Sequence, residues 1–183
     1  MTETLPVLNV PVEEVTPAAL DGFGDILGRT DVPVTISDFM ETVELRKPVR
    51  FVSDDKTMLS LATVHRRPLE VRWLERHYKH TQTFIPLGGR PFVIALAKPT
   101  RTEFPDPADV RAFLFDGTQG ITMHVGTWHE FPFALADPTD LVVILRSETN
   151  VNLQNISENE ASGEDLDKRD VARRAGVRIN LVM

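Results

Sequence analysis

Five histidines occur in the 183 residues of this chain, and they are unevenly placed. His77 and His80 fall in LERHYKHTQTFIPLGG, Leu74–Gly89, beside Glu75 and Gln82. His124 and His129 fall in DGTQGITMHVGTWHEFPF, Asp116–Phe133. Imidazole exchanges protons near neutral pH, and a carboxylate can act as a base or as an oxygen ligand.

Alternation decides which of these groups can meet. In a strand every second side chain faces the same way, so Glu75 and His77 share a face. YKHT can turn the chain, and Gln82 and Phe84 then share a face on the next strand. Thr122, His124 and Gly126 share a face of the second segment, and its glycines leave room for a ligand beside the histidine. A carboxylate, imidazoles and an amide buried together are costly unless they are paired or bind something. His77 and His124 are therefore the leading functional residues, with Glu75 alongside as a third catalytic candidate. Gln82 is read as an amide that contacts substrate or orients His77. His129 is read as a supporting group that holds Trp128 or a carboxylate or contacts substrate. Arg72, near the start of the first segment, could reach a substrate carboxylate. Arg76, Lys79, His80 and His65 are read as solvent-facing.

The rest of the composition narrows the function. A net charge of -7 and a pI near 5.2 argue against a broad nucleic-acid surface or an anionic membrane as partner. Neither excludes a small anionic substrate. The absence of cysteine removes disulfides, thiolate metal sites and cysteine nucleophiles. No apolar run reaches the length of a membrane span, and MTETLPVLNV lacks a basic, apolar signal pattern. The default location is cytoplasmic.

These side chains must be held by short elements. From Val49 onward, segments such as VRFVSD, PFVIALAK, RAFLFD and LVVILRSE carry β-branched or aromatic residues, and Gly, Pro, Asp or Asn separates most of them. That spacing predicts an antiparallel β-barrel or sandwich. EEVTPAALDGFGDIL predicts a short N-terminal helix, with Thr16 as cap, Pro17 at the first helical position and Gly22 or Gly24 at its end. DPADVRAFLFDG has room for one helical turn before a strand. The chain divides into a barrel domain, residues 1–157, and a charged extension, residues 158–183. The extension reads as a mobile or helical tail that packs on the barrel or on a partner subunit, with VRINLVM apolar enough for a last strand.

The spacing of the first segment resembles the cupin motifs. Glu75 and His77 take the places of the His-x-His pair, Gln82 that of the glutamate and Gly89 that of the closing glycine. His124 takes the place of the second-motif histidine. The resemblance implies a cupin double-stranded β-barrel with a ligand-type ring of Glu75, His77, Gln82 and His124. Such a ring could take a divalent cation such as Ni, Mn or Zn, although a neutral Gln is a weaker oxygen donor than Glu.

One cupin family is matched more closely. Ureidoglycolate lyases carry a stretch near LERHPxxxQxFIPL, where this chain has LERHYKHTQTFIPL. They carry GxQGVNYHxGxWHHPL, where this chain has GTQGITMHVGTWHEFPF. An LTPEAFAPFGDVI-like opening is matched by VTPAALDGFGDIL, and a DFLVVDR-like strand by DLVVILR. The resemblance implies a homodimeric carbon–nitrogen lyase that cleaves ureidoglycolate, a small carboxylate, to glyoxylate and urea in purine (allantoin) breakdown. The alternative is a non-catalytic cupin that binds a small molecule or serves as a structural dimer. The chain departs from the pattern at Tyr78, Thr122, Met123, Val125, Glu130 and Phe131. If Val125 and Glu130 form a rim that has lost positive charge and gained a carboxylate, the preferred substrate is a less anionic relative of ureidoglycolate.

Overall fold

The structure, a computed structural model, describes residues 5–37, 40–154 and 156–183. Residues 1–4, the head of the segment read above for a signal pattern, lie outside that set. Among the described residues no helix is long and apolar enough to cross a membrane.

Two curled sheets form the barrel. The smaller has strands in the order Gly24–Leu27, Gly120–Met123, Gln82–Pro86, Thr139–Arg146 and Thr57–Val64. The larger runs from the C-terminal segment, through Leu166–Asp170, Trp73–His77, Trp128–His129, Phe92–Ala97 and Arg111–Phe115, to Val7–Glu14 and Arg178–Val182. Period-2 alternation explains how the larger sheet is covered on both sides. In FVIALA every residue is buried. Phe92, Ile94 and Leu96 join the cluster inside the barrel, with Phe84, Phe113, Ile121 and Val143. Val93, Ala95 and Ala97 join a second cluster on the outer face, with Leu74, Trp128 and Ile179. The strand LVVILR alternates as well: Leu141, Val143 and Leu145 are buried, and Val142 and Ile144 between them are partly exposed.

The N-terminal helix is replaced by turns. Thr16 does cap, with its Oγ1 accepting from the Ala19 N–H at 3.1 Å, and the Leu20 N–H reaches Thr16 O at 3.0 Å. Gly22, at φ 81°, then leaves helical geometry before a second turn can form. The single turn expected near residue 107 is present as a 3-10 helix, Pro107–Asp109, ahead of the strand Arg111–Phe115.

The extension forms strands of the main sheet. Leu166–Asp170 pairs antiparallel with Trp73–His77, and Arg178–Val182 lies parallel to Val7–Glu14. A five-residue helix, Val171–Ala175, connects them. The extension, expected as a mobile or helical tail packing on the barrel or on a partner subunit, has charges that are paired within the fold. Asp167 meets Arg76 at 2.9 Å, Glu160 meets Arg174 at 2.5 Å and Lys168 meets Glu75 at 2.8 Å.

Candidate functional site

Glu75 stands at the centre of a buried polar cluster. Its strand is flanked by two others, with His129 opposite it on one side and Lys168 on the other. Cross-strand partners share a face, so these side chains converge. Glu75 Oε1 lies 3.3 Å from His129 Nε2, and Oε2 accepts from Lys168 Nζ at 2.8 Å. His77, two residues on, faces the same way, with its ring centroid 5.4 Å from that of His129 and 4.4 Å from that of His80. Gln82 is buried on the adjoining sheet. The Phe84 ring, two residues along, lies 6.4 Å from His129 and sets the apolar floor.

His129 reaches this position through a turn. Gly126 has φ 83°, a conformation that favours glycine, and its N–H donates to His77 O at 2.7 Å. The short strand Trp128–His129 then sends Trp128 to the outer cluster and His129 inward. His129 Nδ1 donates to Thr127 O at 3.1 Å. A carbonyl only accepts, so this contact fixes the tautomer and presents Nε2 to the cluster.

Several atoms here are buried without a hydrogen-bond partner: both ring nitrogens of His77, Nε2 of His129 and Oε1 of Gln82. His80 Nδ1 approaches Asp165 Oδ2 at 2.9 Å without the alignment of a hydrogen bond, and both its ring nitrogens share this unpartnered state. Such groups cost free energy unless something satisfies them. Glu75, His77 and His129 bring ligand atoms within 4.8 Å of one another, as do His77, His80 and Asp165. The donors are imidazole and carboxylate, which suit a divalent transition metal. The residues present therefore fit a bound cation at Glu75, His77 and His129.

Charge is arranged to match. Burial pushes the Glu75 carboxyl up, but Lys168 and His129 outweigh it and hold the group well below the usual carboxylate range. Burial, reinforced by His129, holds His77 well below the usual imidazole range, so one ring nitrogen keeps a free lone pair at neutral pH. Burial opposes the charge on Lys168, and Glu75 more than restores it.

The structure does not bring His124 into this cluster. The chain leaves its strand at Met123, and His124 sits in the following turn with its side chain 43% exposed and Nε2 3.0 Å from Asp25 Oδ2. Of the expected ring of Glu75, His77, Gln82 and His124, the structure brings Glu75 and His77 together with His129 and leaves His124 apart from them. A turn glycine three residues before His129 was the signal in the sequence. Arg72 is exposed, and its backbone N–H, rather than its guanidinium, is committed nearby. Arg76 is buried on the outer face, stacked against Trp128 and Tyr78 and paired with Asp167. His80, expected at the surface, is 1% exposed; His65 is exposed, as expected. Asp165 and Lys168 had no signal in the sequence.

The residues that suggested an altered rim have other work. Glu130 is buried, and its Oε2 accepts the backbone N–H groups of Arg72 and Trp73 at 3.0 and 2.9 Å, while Arg67 covers its Oε1. It clamps the backbone at Arg72 and Trp73. Phe131 packs on Phe84 at 5.2 Å, and the Tyr78 hydroxyl donates to Asp167. The expected preference for a less anionic substrate therefore loses its main support.

A family model described as ureidoglycolate lyase matches residues 7–163. The chain belongs to the ureidoglycolate lyase family. Among its relatives, ureidoglycolate lyase from Burkholderia mallei (strain NCTC 10229) is 31% identical over 158 residues, covering 82% of this chain and 91% of that protein. Ureidoglycolate lyase from Pseudomonas aeruginosa (strain LESB58) is 31% identical over 159 residues, covering 79% and 87%. The Azotobacter vinelandii enzyme is 40% identical over 101 residues, covering 54% and 60%. A likeness to RmlC from Streptococcus suis, solved with dTDP-D-xylose, has 12% identity and a TM-score of 0.33 over 53% of this chain and 48% of that one, too slight to carry weight. The region matched by the ureidoglycolate lyase model stops at residue 163, so Asp165 and Lys168 reach the site from beyond it.

Proposed function

We infer that the chain cleaves ureidoglycolate to glyoxylate and urea, a step late in purine (allantoin) breakdown. The observation that carries this is family membership over most of the chain, joined to a buried Glu75–His77–His129 group with unsatisfied ring nitrogens. The reaction is an elimination. The hydroxyl of the substrate loses its proton as the carbon–nitrogen bond breaks, the carbonyl of glyoxylate forms, and the departing urea nitrogen takes up a proton. A divalent cation bound by Glu75, His77 and His129 would supply Lewis acidity toward the substrate hydroxyl oxygen. Gln82 offers a buried amide whose Oε1 has no partner. His80, outside that ligand set and beside Asp165, would carry the proton from oxygen to nitrogen. His77 and Glu75 are the groups on which the chemistry turns.

A homodimer fits the outer face of the smaller sheet. On the edge strand Thr57–Val64, Leu59 and Leu61 are 71% and 63% exposed, and they stand beside Ile144 and Val142 of the next strand. A second copy of the chain would cover this apolar face. The location that suits such an enzyme is the cytoplasm.

The deciding experiment is direct. The purified protein is incubated with ureidoglycolate and glyoxylate release is followed, first as isolated, then after chelation, then with Ni, Mn or Zn restored. Glyoxylate release that chelation removes and one of these metals restores is expected. No release under any of these conditions would overturn the assignment.

A further inference from the structure

Lys168 belongs to two places at once. Toward the interior its ammonium donates to Glu75 Oε2 at 2.8 Å. Outward, its side chain is 28% exposed and lines a cavity of about 290 Å³ with Trp73, Leu153, Ile156, Glu160 and Ala161. That volume lies at the small end of ligand sites and suits a molecule of few heavy atoms.

The charge in this cavity is unequally committed. Glu160 accepts two bonds from Arg174, at 2.8 and 2.5 Å, and one from the Asp170 N–H at 3.0 Å. Lys168, among the described residues, has a single hydrogen-bond partner in Glu75. An ammonium has three N–H donors, so an anion can be bound without releasing Glu75. The Trp73 ring lies 6.0 Å from Nζ, and with Leu153 and Ile156 it forms apolar walls. Walls of that kind strengthen an ion pair by excluding water.

We propose that Lys168 anchors the substrate carboxylate at the Trp73–Lys168 cavity, which turns the hydroxyl on the adjacent carbon toward Glu75 and His77. This rests on the ureidoglycolate reading above. The anchor comes from a strand past residue 163, where the family match ends, so the extension is a working part of the active site.

The full-length protein, K168M and K168R are compared. K168M keeps the length of the side chain and removes the charge. Its KM for ureidoglycolate should rise roughly 10- to 100-fold, the range expected for one charged hydrogen bond, with kcat within about 3-fold. K168R should recover most of the loss. An unchanged KM overturns the anchor. So does a fall in kcat at constant KM, which would mean that Lys168 acts only by positioning Glu75. Calorimetric titration with oxalate separates this inference from the functional reading. Weaker oxalate binding by K168M, by about 10-fold or more, supports the anchor whether or not ureidoglycolate is turned over, and equal binding overturns it. If K168M does not fold, wild type is assayed on the uncharged primary amide of ureidoglycolate. A loss of efficiency of about 10-fold or more supports the anchor, and equal efficiency overturns it.

Discussion

His129 and Glu75 face each other across paired strands, with Nε2 3.3 Å from Oε1 while Nδ1 is tied to Thr127 O. With Nδ1 so committed, His129 turns Nε2 toward a carboxylate. That contact becomes favourable when a cation or a proton lies between the two. Motif spacing points to His124, but strand pairing brings His129 to Glu75 instead.

The two histidines can be told apart by substitution. H129A should lower kcat/KM for ureidoglycolate by about 100-fold or more, because a group that holds the reacting centre is lost. H124A should stay within about 3-fold of wild type, because His124 pairs with Asp25 on the surface. Melting curves on both variants separate misfolding from lost chemistry. The reverse pattern would restore His124 to the site.

Glu130 should behave as a structural residue. Its Oε2 takes two backbone N–H groups, and E130L would leave both without that acceptor. A loss of about 2–4 kcal/mol in denaturant unfolding is expected, with a smaller loss for E130Q, which keeps an acceptor. Neither change should shift the preference between ureidoglycolate and less anionic analogues. A shift toward neutral substrates in E130Q would revive the reading of an altered rim.

Much of this was legible in the sequence, in so far as alternation runs unbroken. Glu75 and His77 lie on one strand, so counting by twos placed both inward. The same counting carried through Met123 and His124 fails, because the chain turns at Gly126 and the parity restarts before Trp128 and His129. Lys168 could not be found that way. Its partner Glu75 is 93 residues away, and the surrounding run of charges reads as solvated until the pairing of strands is known. His80 was lost for the same reason: its neighbour Asp165 comes from that segment. The charged tail and the strand it covers define each other, and neither carries the other's signature.

Acid should weaken the metal-free protein in two stages. His77, held below its ordinary value of 6.5, refuses a proton that the unfolded chain accepts, so stability falls as pH drops from about 6.5. Glu75 is held below its ordinary value of 4.5, so its contribution, present above that pH, is lost as pH falls further. Each group contributes at most about 1.4 kcal/mol per pH unit within its window. The melting temperature in a chelator should therefore drop between pH 7 and 5, and H77F should flatten this upper part of the curve. An unchanged slope in H77F would mean that His77 takes up its proton in the folded state as readily as in the unfolded one.

The exposed leucines give a test of assembly that leaves the site untouched. Leu59 and Leu61 lie on an edge strand, and their side chains stand on the outer face of the smaller sheet beside Ile144 and Val142. An apolar face on an unpaired edge invites either a partner copy or aggregation. Aspartate at both positions would place two like charges in a symmetric interface, each near its own image, and desolvation would add to the repulsion. L59D/L61D should elute as a monomer under light scattering where wild type elutes as a dimer, with the fold retained by circular dichroism. Neither leucine lies in the Glu75–His77–His129 cluster, so turnover per chain should change by less than about 3-fold if each barrel holds a complete site. A larger loss that tracks the monomer fraction would show that the partner subunit completes the site. A wild-type protein that is already monomeric would leave this face to a partner of another kind.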